Sequence, residues 1–243
     1  MATRAHIDRH YDEELQELRH LVLEMGGFVE KQVDDAMRAL IDRDAEFARL
    51  IIERDKTVNR MDVQIDDICL RLLALHQPAA RDLRLITTAL KITTDLERSG
   101  DMAENIAERA IELCKEPQLK PLIDIPRMAS IAQGMLRQAL DAFVREDPDL
   151  ALLVCHQDDA VDALTDQLLR ELLTFMMEDP HTISRALRLI FIAKYLERLA
   201  DHATNIAEMV VFMVKGKSIR HLDPSGCSER TSNNCNCSSP DIL

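Results

Sequence analysis

The sequence predicts an all-α protein built as two pseudo-symmetric, antiparallel three-helix bundles. Aromatic residues make up 3% of the 243 and Trp is absent, while apolar residues reach 47%. A core drawn from Leu, Ile, Ala, Val and 11 Met suits helix packing better than a sheet. Between the prolines, apolar residues recur with a helical period. The chain also repeats itself: Ile92 to Glu108 and Ile192 to Glu208 share ten of seventeen residues at an offset of 100.

Six long helices are expected, in an order set by the prolines, which are missing from residues 1–77 and then fall at 78, 117, 121, 126, 148, 180, 224 and 240. The first helix should run from about His6 to Asp42, with Gly26-Gly27 as a soft point. Asp44 is a suitable cap for the second, which ends near His76. Pro78 opens the third, which continues to Lys115. Three prolines between Glu116 and Pro126 mark a linker. The fourth helix covers Arg127 to Glu146. Asp147-Pro148, a cap followed by a first-turn proline, starts the fifth, and Asp179-Pro180 starts the sixth, which ends near Gly216. Short turns between long helices make successive helices antiparallel neighbours.

The domains are then a first repeat over 1–116, a linker over 117–126, a second repeat over 127–216 and a tail over 217–243. The tail is rich in Ser, Asn, Asp, Gly and Cys without periodicity, the composition of a disordered segment. Its Cys227, Cys235 and Cys237 are three thiols without a fourth ligand, weak support for a soft-metal site. Helices 2 and 5 repeat at an offset of 103, which pairs Ala48, Asp55 and Val58 with Ala151, Asp158 and Val161, and Asn59 with Asp162.

The formal charge of −13 weighs against nucleic acid as a partner and suits cations. No run of apolar residues is long enough to span a membrane, and Met1 to His10 is polar, so direct membrane insertion is not expected and the cytoplasm is the expected compartment. Cys69, Cys114 and Cys155 are isolated and read as small buried hydrophobes.

Glu97-x-x-x-Asp101 and Glu197-x-x-x-Asp201 each place two carboxylates one turn apart on one helix face. With 43 acidic residues, several such pairs arise from composition alone. Their distance from the turns is more informative. With the second and third helices joined at Gln77-Pro78, Asp101 is 23 residues beyond the turn and Asp55 is 22 before it, so they share a height. Glu97 and Asn59 match likewise. In the second repeat Asp158 and Asp201 are both 21 residues from Asp179-Pro180, and Asp162 and Glu197 are both 17. Four oxygen-bearing side chains meet at one level, twice.

Like charges so close raise each other's pKa unless a cation neutralises them. That cation is either a metal or an interleaved Arg98 or Arg198, which would make a structural ion-pair lattice. Oxygen donors without matching His or Cys suit Mg, Mn, Ca or iron rather than structural zinc. Gly100 and Ala200, just before the aspartates, leave room for an ion or a close helix. His76, His156 and His202 are single and read as satisfied or exposed. Glu17-x-x-His20 occurs on one helix, whereas a ferritin-like di-iron centre needs the motif on two. No Gly-rich phosphate loop, nucleophile elbow or catalytic triad pattern is present, so no enzyme activity is expected.

At Leu96-Glu97-Arg98-Ser99-Gly100-Asp101, and again from Leu196 to Ile206, the chain resembles the PhoU family. Met25-Gly26-Gly27, Asp55 to Asn59, Gln77 to Arg84 and Lys215-Gly216 support the likeness, which runs from about residue 6 to 221. The resemblance implies paired three-helix bundles whose E(D)xxxD motifs hold mono- or multinuclear metal clusters. On this chain these fall at Glu97 and Asp101, Glu197 and Asp201, Asp158 and Asp162, and Asp55 and Asn59. The implied cofactors are divalent or trivalent ions on oxygen ligands: Fe, Mn, Mg or Zn. Asn59, a neutral ligand, and Ala200, in place of glycine, depart from the family pattern and weigh against equal occupancy of the two sites. The resemblance also implies a homodimeric, non-enzymatic negative regulator of the phosphate-starvation response. It would link the phosphate importer, through its ATPase subunit, to a PhoR-type sensor kinase, peripheral to the membrane through these partners. A carboxylate-ligated metalloenzyme or metal store, and a purely structural scaffold, are the competing readings.

Overall fold

The computed structural model describes residues 2–219, with side chains from residue 10. Its helices are α1 (Ala2–Asp42), α2 (Ala45–His76), α3 (Ala80–Cys114), α4 (Asp124–Arg145), α5 (Pro148–Glu178) and α6 (Ile183–Lys215). No strand occurs among the described residues. α1, α2 and α3 pack on one another, as do α4, α5 and α6. The two bundles join along α3 and α6, with α1 against α4. This is the expected all-α fold of two three-helix bundles.

The caps explain where the helices begin. Asp44 Oδ1 accepts a hydrogen bond from Phe47 N at 2.9 Å. Asp147 Oδ1 accepts from Asp149 N and Leu150 N, both at 3.0 Å, with Pro148 in the first turn. These side chains satisfy amide donors that a helix start leaves unpaired. The offset of 103 extends beyond the second and fifth helices into α1 and α4. Buried Met25, Ala36 and Ala39 map onto buried Met128, Ala139 and Ala142. Arg43 and Glu146, also 103 apart, both adopt left-handed backbone, at φ 57° and 51°. One contact even keeps its place while changing chemistry. Arg54 donates to Asp35 Oδ2 at 3.2 Å in the first bundle, and Gln157 donates to Gln138 Oε1 at 3.0 Å in the second.

The starts of α4 and α6 and the expected soft point in α1 differ from expectation. α4 starts at Asp124 rather than Arg127, because Pro126 fits a first turn that needs no amide donor there. Pro180 opens a 3-10 turn, Pro180–Thr182, capped by Asp179 Oδ1 on His181 N at 2.9 Å, and α6 starts only at Ile183. Gly26-Gly27 is not a soft point: α1 runs through it unbroken. A Cβ on Gly26 would strike Leu140 Cδ1 of α4, so glycine here serves a close helix crossing. The tail expected over 217–243 lies, from residue 220 onward, outside the described residues.

Polar ties fix one bundle against the other. Glu146, at the end of α4, accepts from Arg19 of α1 and Arg81 of α3, each at 2.6 Å. Arg84 Nε donates to the Met213 carbonyl at 3.0 Å. Arg188 of α6 reaches Glu112 at 3.0 Å and Glu116 at 2.7 Å. His202 Nδ1 lies 2.9 Å from Asp95 Oδ1 across the α3–α6 seam. Both acid-bearing helices of that seam are therefore held in register.

Candidate metal sites

In the first bundle Asp55 projects from α2 toward α3 and is only 6% exposed. Gly100 makes room for it: a Cβ there would lie 3.3 Å from both Asp55 Oδ1 and Val58 Cγ1. One carboxylate oxygen from each of Asp55, Asp101 and Glu104 lies within 4.8 Å of the others. Asn59 donates its amide to Asp55 Oδ2 at 3.0 Å. Burial, and then the Asp101 charge, raise the Asp55 pKa, against the opposing pull of the Gln32 and Asn59 amides. Glu104 is raised by burial and then by Asp55. Glu97 is raised by burial and then by Asp101, with Arg98 opposing.

The second bundle repeats the crowding. Burial, followed by the charges of Asp201 and Asp162, pushes Asp158 up to about 6. Its Oδ1 is buried without a hydrogen-bond partner. Asp162 is raised by burial and then Glu197, and Asp201 by burial and then Glu197 and Asp162.

Equal distances from the turns predicted four facing pairs, and three are seen as opposed charges: Asp55 with Asp101, Asp158 with Asp201, and Asp162 with Glu197. Asn59 instead turns its amide to Asp55, one turn away on its own helix. The ion-pair lattice is partial. Arg98 lies 3.4 Å from Glu97 and 3.5 Å from Asp101, and Lys194 lies 2.5 Å from Glu197. Among the described residues, no salt bridge reaches Asp55, Glu104, Asp158, Asp162 or Asp201, and Arg198 makes none with these acids. A set of crowded carboxylates without salt bridges, and the orphaned Asp158 oxygen, fit hard cations with oxygen preference.

Glu104 and Gln32 were not foreseen. Glu104 follows Asp101 by three residues on the same helix face, a legible signal. Gln32 interrupts the apolar stripe of α1. The histidines behave as expected of satisfied or exposed groups: His76 Nε2 meets Glu14 Oε2 at 2.9 Å, His202 meets Asp95, and His156 is exposed. Cys69 is buried, whereas Cys114 and Cys155 are only half-buried.

Residues 22–110 and 125–210 each match the model of the PhoU domain. The chain belongs to the PhoU family. It is 46% identical to the phosphate-specific transport system accessory protein PhoU homolog of Pseudomonas aeruginosa, over 94% of this chain and 95% of that one. The Escherichia coli phosphate-specific transport system accessory protein PhoU is 39% identical over 89% of this chain and 90% of its own. A crystal structure of PhoU from Pseudomonas aeruginosa superposes with a TM-score of 0.82 at 48% identity, covering 85% of this chain and all of that one. PhoU from Streptococcus pneumoniae, described as a phosphate transport system regulatory protein, gives 0.80 at 32% identity, over 86% of this chain and 98% of that one. Among the described residues of this PhoU-family chain, no helix is long and apolar enough to cross a membrane.

Proposed function

We propose that this PhoU-family chain is a non-enzymatic, metal-binding regulator accessory to phosphate uptake. It restrains the phosphate-starvation response by coupling the importer, through its ATPase subunit, to a PhoR-type sensor kinase. It works in the cytoplasm as a homodimer, with residues 1–116 and 127–216 as two repeats joined by the 117–126 linker. The observation that carries this reading is likeness along nearly the whole chain to proteins named as phosphate-specific transport system accessory proteins. The metal component is supported by crowded carboxylates in both hairpins, of which Asp55, Glu104, Asp158, Asp162 and Asp201 make no salt bridge among the described residues. Asp55, Asn59, Glu97 and Asp101 would hold ions in the first repeat, and Asp158, Asp162, Glu197 and Asp201 in the second.

The regulatory role is tested in cells lacking their own family member and carrying a phosphate-starvation reporter. Expression of this chain should silence the reporter in phosphate-rich medium; a reporter that stays on refutes the role. Elemental analysis of metal-reloaded protein tests the ligands. The parent should retain metal, and the combined Glu97→Ala, Asp101→Ala, Glu197→Ala and Asp201→Ala variant should lose it. Light scattering after size exclusion should give twice the 27.7 kDa chain mass.

A further inference from the structure

We propose that the first repeat holds an inner cation site, formed by Gln32, Asp55, Asp101 and Glu104, that the second repeat lacks. The inference rests on the metal-binding reading above and makes the two halves chemically unequal. Three helices supply the donors: Gln32 from α1, Asp55 from α2, and Asp101 with Glu104 from α3.

Two independent observations converge there. The first is the carboxylate cluster, with one oxygen of each acid within 4.8 Å of the others. The second is Gln32. It is only 3% exposed, and both Nε2 and Oε1 are buried without a properly formed hydrogen bond. Its amide lies close enough to Asp55 to favour the ionised carboxylate, yet its carbonyl oxygen is left with nothing to accept from. A buried amide in that condition is unfavourable unless something else engages it. A cation between Gln32 and the acids would engage the Oε1 and relieve the repulsion among three carboxylates at once.

The repeat shows what the second half has in place of these groups. At an offset of 103, Gln32 maps onto Met135, which is fully buried and offers no oxygen. At an offset of 100, Glu104 maps onto Thr204, a neutral hydroxyl. The inner position thus loses an amide oxygen and a charge in the second repeat.

The donor set is oxygen only, which selects a hard cation. Three oxygens no more than 4.8 Å apart place a central ion at most about 2.8 Å from each, near the roughly 2.3–2.6 Å of calcium–oxygen bonds. The same bound also admits magnesium, at about 2.0–2.1 Å, with the oxygens drawn closer. A hard divalent cation is therefore the expected occupant, with Ca as the probe for calorimetry and Mn as its paramagnetic substitute.

The test is calorimetric titration of Ca into the chelator-washed full chain, with manganese resonance spectra as a second readout. Gln32→Met and Glu104→Thr, the residues of the second repeat, should each weaken one class of sites at least tenfold and leave the other class unchanged. The converse pair, Met135→Gln with Thr204→Glu, should add a binding event. Retained parental affinity and stoichiometry in both Gln32→Met and Glu104→Thr would overturn the inner site while leaving the metal reading intact. A parent that takes up neither Ca nor Mn, nor any other metal by elemental analysis, defeats both. Should Glu104→Thr fail to fold, Gln32→Met decides alone, since methionine already occupies the equivalent buried position.

Discussion

Gly100 of α3 and Asp55 of α2 stand directly opposed, so that a Cβ on the glycine would sit 3.3 Å from the carboxylate Oδ1. The glycine sits mid-helix, where it forgoes about 1 kcal/mol of helix propensity relative to alanine. Its equivalent, Ala200, is fully buried and tolerates its methyl group. The first hairpin thus sets its acid against bare helix backbone at this position, where the second carries a methyl group.

Gly100→Ala sets gained propensity against pressure on Asp55 and Val58. The two effects nearly offset, so the thermal midpoint should move by no more than about 4 °C. Metal affinity in the first repeat should nevertheless fall about tenfold, because the methyl displaces a ligand oxygen. Calorimetry and thermal melts read the two quantities separately; unchanged affinity would remove Gly100 from any role at the site.

Adjacent glycines in α1 should respond in opposite directions. Gly27 faces open space, so Gly27→Ala should stabilise the fold by about 0.5–1 kcal/mol through propensity alone. Gly26→Ala drives a methyl group into Leu140 and should instead destabilise by about 1–2 kcal/mol. Urea unfolding of both variants checks this, and equal midpoints would contradict the packing role assigned to Gly26.

What could be read from sequence followed the reach of each signal. Asp44 and Asp147 act within three residues, and both caps are found where expected. Facing acids were legible because helical rise converts residue counts from a turn into heights. Pro126 and Pro180 misled by a few residues because proline is compatible with a first turn or a 3-10 turn as well as with a boundary. Gly26 was misread for another reason: its partner Leu140 is remote in sequence, and nothing local reports a helix crossing. Gln32 escaped in the same way, since counting along one hairpin says nothing about which face of α1 covers it. Asn59 was placed at the right height, but its choice of Asp55 over Glu97 depends on side-chain geometry within one helix.

The pH response of the metal-free protein should carry the mark of Asp158. Its folded pKa is raised from 3.8 to about 6, so the folded state holds the proton more tightly than the unfolded one. The corresponding stability is fully present below pH 3.8 and is lost as pH rises through about 6. Asp158→Asn mimics the protonated form. At pH 7.5 it should exceed the metal-free parent by about 1 kcal/mol, a figure discounted because Asp158 is partly exposed, and it should match the parent near pH 4. With saturating metal the order at pH 7.5 should reverse, because the parent gains ligand binding that the variant has lost. Denaturant melts at both pH values test the crossover, and a pH-independent difference would argue against the raised carboxyl.

Glu146 presents the opposite sign. Burial pushes its carboxyl up, but hydrogen bonds from Arg19 and Arg81 outweigh this and hold it below the usual range. Its contribution is therefore present above the unfolded value and is lost as pH falls through the lowered folded value. The residue also ends α4 with φ at 51°, a left-handed conformation that a side chain other than glycine resists. Two substitutions separate these roles. Glu146→Gln keeps the backbone strain and loses the charge that ties α1 and α3 to α4, so its thermal midpoint should drop by several degrees at pH 7. Glu146→Gly loses the same tie but relieves the backbone, and should drop less. Both differences from the parent should shrink as the pH falls and the Glu146 carboxylate becomes protonated. Should Glu146→Gly prove the less stable of the two, the arginine bridge would have to be replaced by packing of the side-chain stem as the reason this position is not glycine.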